Sequence, residues 1–247
     1  MLKNTDCLKF LKKLKNNSVD LVLTDPPYFI GFDGGEGWDS KWKDEEEYLN
    51  WCENWTKECF RVLKNDRMFV VFGTLKTDTF LKYKLSILNN ITNAFAQNEI
   101  IWSYNWGGRS KENFARKHEF MWCYSKGDKF LFNADDITIE RKQKINIRTG
   151  QPFNKGTIPT CVWEKNNHTK SKEYVNWHPT QKPFLILERI IKAYTNKNDV
   201  VVDIFSGSGS TMIACKNTQR KFKGCELSKE YYHKSLKRLK NLSTDNF

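Results

Sequence analysis

Residues 199–209 read Asp-Val-Val-Val-Asp-Ile-Phe-Ser-Gly-Ser-Gly, an apolar run that stops at a turn carrying Gly207 and Gly209, before Ser210-Thr211-Met212 opens a helical pattern. A short, continuous apolar run bounded by glycine has the look of a strand buried on both faces, as in a parallel sheet. Glycines between such a strand and a helix admit positive φ and let backbone N–H groups approach a ligand at the helix N-terminus. Seventeen residues past Gly209 stands Glu226, at the end of the next expected strand, where a carboxylate can accept hydrogen bonds from ribose hydroxyls. A third glycine of the dinucleotide fingerprint is missing, and Asp203 would repel a diphosphate. The pattern therefore favours a cationic, adenosine-containing cofactor over a nicotinamide one.

Outward from this stretch, strands and helices alternate. Residues 19–24 form a second apolar run that stops at Asp25-Pro26-Pro27-Tyr28. Tyr48, Cys52, Trp55, Cys59 and Val62 or Leu63 repeat at helical spacing over 44–63, and Asp44, Glu45, Glu46 and Glu47 open that helix where its dipole favours negative charge. Further strands are expected at 68–72, 99–104, 119–124 and 221–226, with helices at 75–88, 183–194, 210–217 and 228–241. This alternation predicts an α/β fold with a doubly wound, mostly parallel, Rossmann-like sheet. Residues 133–177 break the alternation and read as a polar, basic insert that holds some local structure.

The chain has 247 residues and 39% hydrophobic content, enough for one large domain or one domain with an insert. With 41 Lys and Arg against 29 Asp and Glu the net charge is +12, so a polyanion is the first partner to consider. The seven cysteines are never spaced C-x-x-C and read as reduced core thiols. None of the four histidines has a partner at metal-ligand spacing, and no metal is expected. No apolar stretch is long enough to span a membrane, and the N-terminus lacks the design of a secretory signal, so a soluble, cytoplasmic protein is expected.

Asp25-Pro26-Pro27-Tyr28 carries the more specific chemistry. Two prolines after a strand can neither extend a ladder nor start a helix, and they hold the turn with little conformational freedom. The Asp25 carboxylate and the Pro26 carbonyl can then face one exocyclic amine, while Tyr28 offers a stacking face to the base that bears it. Such an amine is a poor nucleophile because its lone pair is delocalised into the ring. Two acceptors draw it toward a tetrahedral form and stabilise the positive charge that develops during attack.

On both loops, their order, and His178-Pro179-Thr180-Gln181-Lys182-Pro183, the sequence resembles the S-adenosylmethionine-dependent DNA amino-methyltransferases, specifically their β class. In that class the catalytic loop precedes the target-recognition region and the cofactor loop comes last, which is a permuted motif order. The resemblance covers 1–128 and 176–241. It implies a catalytic half at 1–132, an inserted target-recognition region at 133–177 and a cofactor half at 178–247. It also implies catalysis by Asp25, Pro26, Pro27 and Tyr28. Asp203, Phe205, Ser206, Gly207 and Gly209 would contact the methionine part of the cofactor, Glu226 the ribose and Asp6 the adenine, although Asp6 also suits a helix cap. Thr180, Gln181, Lys182 and Pro183 would wall the pocket. Because Asp stands first in the catalytic motif, the resemblance implies adenine N6 as the target, with cytosine N4 as the alternative.

The implied partner is double-stranded DNA, with a homodimer and a cognate restriction endonuclease as further candidates. Arg109, Arg116, Arg141, Lys142, Lys144 and Arg148 are the candidate DNA contacts, interleaved with Trp106, Phe114, Phe153 and Trp163, which suit stacking. Lys234, Lys237, Arg238 and Lys240 read as a solvated helix face. Gly31, Gly34, Gly35 and Gly37 suit either a lid over a flipped base or a solvated loop. An RNA or protein-amide methyltransferase, a DNA-binding module without catalysis, and a nicotinamide oxidoreductase are the competing classes.

Overall fold

The computed structural model describes residues 1–32, 37–105, 107–141, 143, 145, 147–152, 156–165, 171 and 173–244. Gly34, Gly35, Trp106, Lys142, Lys144 and Phe153, singled out above, lie outside the described residues.

In chain order the elements are β1 (Leu2–Asn4), α1 (Cys7–Leu11), β2 (Val19–Thr24), α2 (Glu45–Val62), β3 (Leu63–Gly73), α3 (Asp78–Lys82), β4 (Ala94–Ser103), β5 (His118–Lys126), β6 (Val162–Glu164), α4 (Phe184–Tyr194), β7 (Val200–Asp203), α5 (Ser210–Asn217), β8 (Lys221–Glu226) and α6 (Lys229–Thr244). One sheet holds the strands in the order β1-β8-β7-β2-β3-β5-β4-β6. Among the described residues only β5 runs against the rest. The expected α/β, mostly parallel architecture is therefore present.

Every residue of β2 is buried, which suits a central strand covered on both faces. The period of two sorts its side chains and those of β3. Val22, Phe69 and Val71 join a cluster with Phe10, Tyr48, Trp55 and Cys59 from α1 and α2. Leu21, Leu23, Met68 and Val70 join one with Ile186, Ile190 and Met212 from α4 and α5. Three layers result, with the sheet in the middle. In α2 the Asp44 carboxylate accepts from Glu47 N at 2.9 Å, and Tyr48, Cys52, Trp55, Cys59 and Val62 face inward. Among the described residues no helix is long and apolar enough to cross a membrane.

Several elements differ from the expected ones. The helix expected at 75–88 is only α3, which widens into a π-turn at Tyr83–Ile87 and a 3-10 turn at Leu88–Asn90. Tertiary contacts hold that segment, since the buried Tyr83 hydroxyl meets Thr56 Oγ1 at 2.9 Å and Tyr124 donates to Asn89 Oδ1 at 2.6 Å. Strand β3 starts at Leu63, not 68, because its register against β2 jumps from Val19↔Leu63 to Leu21↔Met68 and leaves the polar Lys64–Arg67 as a bulge. Within 133–177, β6 adds to β4 as a parallel strand. Trp163 on that strand is 8% exposed, with the Arg189 guanidinium 4.7 Å from its ring. The ring is packed, not free to stack on a base. Six cysteines are buried thiols, but Cys161 is exposed just before β6.

One charge sits inside the apolar run of β2. Asp20 is 2% exposed and accepts from Lys64 Nζ at 2.7 Å and Val200 N at 2.9 Å, tying β2 to β3 and β7. Removing it strands a backbone donor and a partly exposed ammonium. Asp20→Ala should therefore cost about 3 kcal/mol of unfolding free energy, the lower end for a broken buried pair because Lys64 keeps access to water. Urea denaturation checks this, and a loss below about 1 kcal/mol would show that the tie contributes little.

Candidate active site

Strands β2 and β7 are neighbours, so the loops that leave their carboxyl ends start side by side, where open α/β sheets bind ligands. Thr24 Oγ1 donates to Asp203 Oδ1 at 2.9 Å and accepts from Ile204 N at 3.3 Å, while Phe205 N donates to Asp203 at 3.1 Å. Asp203 is thus the brace between the two loops. It is 3% exposed, and burial pushes its carboxyl up to about 6 despite hydrogen bonds that favour the charged form.

The first loop is fixed from below. Tyr48 donates to the Pro27 carbonyl at 2.7 Å, and the buried Asp39 accepts from Phe29 N at 2.7 Å and Ile30 N at 2.8 Å. Those contacts hold Phe29 at φ 55°, a conformation that L-residues seldom adopt. Both carboxylate oxygens of Asp25 are engaged: Tyr28 Oη donates to Oδ1 at 2.5 Å and Lys182 Nζ to Oδ2 at 2.5 Å. The same ammonium lies 3.2 Å from Glu119 Oε2 on β5. Burial works against the Lys182 charge, but Asp25 and Glu119 outweigh it and hold the ammonium above its usual range. Burial raises the Glu119 carboxyl against the pull of Lys182, and burial together with both carboxylates raises the Tyr28 phenol. The Tyr28 ring meets Phe80 edge-on at 5.0 Å.

The second loop is held by a different set. Glu226 accepts from Gly207 N at 2.7 Å and Ser228 N at 2.8 Å. Gly207 has φ 46°, and a Cβ there would lie 2.5 Å from His178 Nε2. His178 packs 4.7 Å from the Tyr231 ring, and burial, with Lys182 and Arg238 nearby, lowers its pKa to about 3, so it is a neutral packing group at physiological pH. Arg238 corrects the solvated reading of its helix face: it is 8% exposed and donates to Ser208 O at 2.9 Å and Ser210 Oγ at 3.0 Å. Gln181 is an anchor for the segment before it, donating to Glu173 O at 2.6 Å and accepting from Val175 N at 2.8 Å.

Both loops open into one cavity of about 350 Å³. Asp6, Asp25, Pro26, Pro27, Tyr28, Thr180, Gln181, Lys182, Phe205, Gly207, Glu226 and Arg116 line it. Pro183, Asp203, Ser206, Gly209, Arg109, Arg141 and Arg148 are not among the lining residues. Pro183 is the residue before α4, Gly209 caps α5 at φ 75°, and Arg109 and Arg148 are exposed. Asp6 caps α1, accepting from Leu8 N at 3.0 Å and Lys9 N at 3.1 Å, while also lining the cavity. Lys182 lines the cavity, but its ammonium belongs with Asp25 and not with the second loop. Sequence reasoning passed over Glu119, Lys76, Lys41 and Trp51, all at the cavity. Glu119 had one visible signal, a carboxylate leading into the apolar run of β5. Among the described residues no cluster could hold a metal ion.

The Gly207 turn tied to the Glu226 carboxylate, with the ring of Phe205, thus faces the ion-paired Asp-Pro-Pro-Tyr turn across one cavity at the carboxyl ends of adjacent strands, where α/β enzymes bind their ligands. Comparison with known proteins gives the class. The family described as DNA methylase, the N6/N4 methyltransferases, matches residues 19–237. The type II methyltransferase M.HpaI of Haemophilus parainfluenzae is 32% identical over 236 residues, covering 95% of this chain and 72% of the relative. The DNA adenine methyltransferase YhdJ of Escherichia coli (strain K12) is 34% identical over 244 residues, 95% and 80% of the two chains. Among solved structures, the cytosine-N4-specific PvuII DNA methyltransferase superposes with a TM-score of 0.76 at 19% identity over 98% of this chain and 89% of the other, a likeness of fold. The M1.HpyAVI–SAM complex gives 0.63 at 26% over 96% and 98%. The chain belongs to the N6/N4 DNA methylase family and is an S-adenosylmethionine-dependent DNA amino-methyltransferase.

The brace makes a pH prediction. Folding raises the Asp203 carboxyl from 3.8 to about 6, so the folded chain binds more protons across that interval, and the contribution of this group to stability falls as pH rises through it. Compared with Asp203→Asn, which keeps an acceptor, the wild type should lose roughly 2–3 kcal/mol between pH 4 and pH 6 and run parallel above. Urea midpoints of both proteins across pH check this, and parallel curves throughout would contradict it.

Proposed function

We propose that this enzyme methylates the exocyclic N6 of adenine within a specific duplex sequence, after the base has left the stack. The observation that carries this reading is the Asp25 carboxylate at the head of Asp-Pro-Pro-Tyr, opening into the same cavity as Gly207 and Glu226. When bound, the cofactor supplies a methyl group on a sulfonium. The protein's own part is orientation and charge. Gly207, Phe205 and Glu226, with Asp6 behind them, hold the cofactor end. Asp25 and the Pro26 carbonyl take the two amino hydrogens of the target. To reach Asp25 the amine displaces the Tyr28 hydroxyl from Oδ1 or the Lys182 ammonium from Oδ2. A base that spends a few kcal/mol leaving the helix meets Lys76, Arg116 and Lys117 at the cavity wall, with Arg109 exposed nearby in sequence.

Residues 133–177 occupy the place of target recognition in this reading, and Arg141 and Arg148 contact phosphates there. Adenine is favoured over cytosine N4 by Asp at the first motif position. The type II designation of M.HpaI supports a modification role beside a cognate restriction endonuclease.

Modified-base sequencing of DNA from cells expressing the chain tests the proposal. N6-methyladenine at one recurring motif is expected, and it should disappear with Asp25→Ala while that variant keeps its affinity for S-adenosylmethionine. N4-methylcytosine in place of N6-methyladenine would move the reading to cytosine. DNA without modification would overturn it.

A further inference from the structure

The connection from β4 to β5 rises from the wall of the cavity, which Gly107 and Gly108 on its outgoing leg and Arg116 and Lys117 on its returning leg both line. Its crest is ordered locally. Ser110 Oγ accepts from Asn113 N at 3.0 Å and from Glu112 N at 3.4 Å, and Asn113 Oδ1 accepts from Phe114 N at 2.7 Å. Phe114, which follows this turn, is 95% exposed, more than any other large hydrophobic side chain described. Arg109, Lys111, Arg116 and Lys117 surround it in sequence against the single acidic Glu112. An aromatic ring raised on a cationic arm has no use for bulk water, but it suits a polyanion whose interior is a stack of flat rings.

We propose that Phe114 is the wedge that enters the duplex at the position vacated by the target base. The proposal rests on the reading that this site methylates an amine of a DNA base. A flipped base leaves a gap in the stack, and the helix recloses on that base unless something occupies the gap. Apolar side chains that enter between base steps hold such gaps open elsewhere. Phe114 is carried by the loop whose two legs line the receiving cavity, so extrusion of the base and insertion of the ring happen at one place on the duplex. The flanking cations keep the arm on the phosphates while the ring enters. Neither Trp163, buried on β6, nor Tyr28, bonded to Asp25 within the cavity, is placed for that task.

Once sequencing has given the recognition site, the full-length wild type, Phe114→Ala and Phe114→Trp are compared on two oligonucleotide duplexes. One is fully paired, and the other has an abasic position opposite the target. An unpaired target needs less help to leave the stack, so Phe114→Ala should lose about tenfold or more in methyl transfer on the paired duplex and stay within about twofold of wild type on the abasic one. Phe114→Trp should keep most of the activity on both. Equal losses on the two duplexes would assign the ring to loop folding or simple adhesion and overturn the wedge, as would an undiminished rate on the paired duplex. Failure of the underlying reading shows at the earlier step, because sequencing then finds no methylated base in DNA from cells expressing the wild type and the wedge falls with it.

Discussion

A single ammonium organises this site. Lys182 lies between Asp25 at the end of β2 and Glu119 on β5, 157 residues from the first of these in sequence. Two carboxylates this close repel one another unless a cation stands between them, and a buried cation is costly unless carboxylates surround it. Each member therefore makes the other two tenable. The arrangement keeps Asp25 oriented beside a cavity that also has apolar walls, where its oxygens can accept from an amine.

The two loops are held by independent means. Tyr48 and Asp39 fix the Asp-Pro-Pro-Tyr turn, while His178, Glu226 and Arg238 fix the glycine turn. Asp203 and Thr24 connect them beneath the cavity. In the proposed function this layout lets one loop answer to the target and the other to the cofactor, and adjacent strands of one sheet set the distance between them.

Much of this was legible in the sequence, for local reasons. Consecutive prolines and paired glycines restrict backbone conformation in ways that need no tertiary information, so both loops and their flanking strands stood out. The three-residue edge strands β1 and β6 did not, because so few residues carry no period. Asp20 and Arg238 were hidden by their surroundings: Asp20 lies in a run read as apolar and Arg238 on a helix face read as solvated, and the partners of both are distant in sequence. The family resemblance placed Lys182 with Thr180, Gln181 and Pro183 as a wall of the pocket, and the carboxylates that pair with its ammonium come from distant parts of the chain that sequence does not bring together. Nothing in the sequence showed that Asp203 also accepts from Thr24 and from Phe205 N and so ties the two loops together.

The central claim is this division of labour, with Lys182 serving the target side. Calorimetric titration of S-adenosylmethionine into Lys182→Gln and Glu226→Gln tests it most directly. The account predicts affinity kept or strengthened in folded Lys182→Gln, because a cation is removed from a cavity that receives a sulfonium. In Glu226→Gln it predicts a loss of about tenfold or more, the order of one hydrogen bond to a charged group. Equal weakening in the two variants would contradict it and return Lys182 to the cofactor.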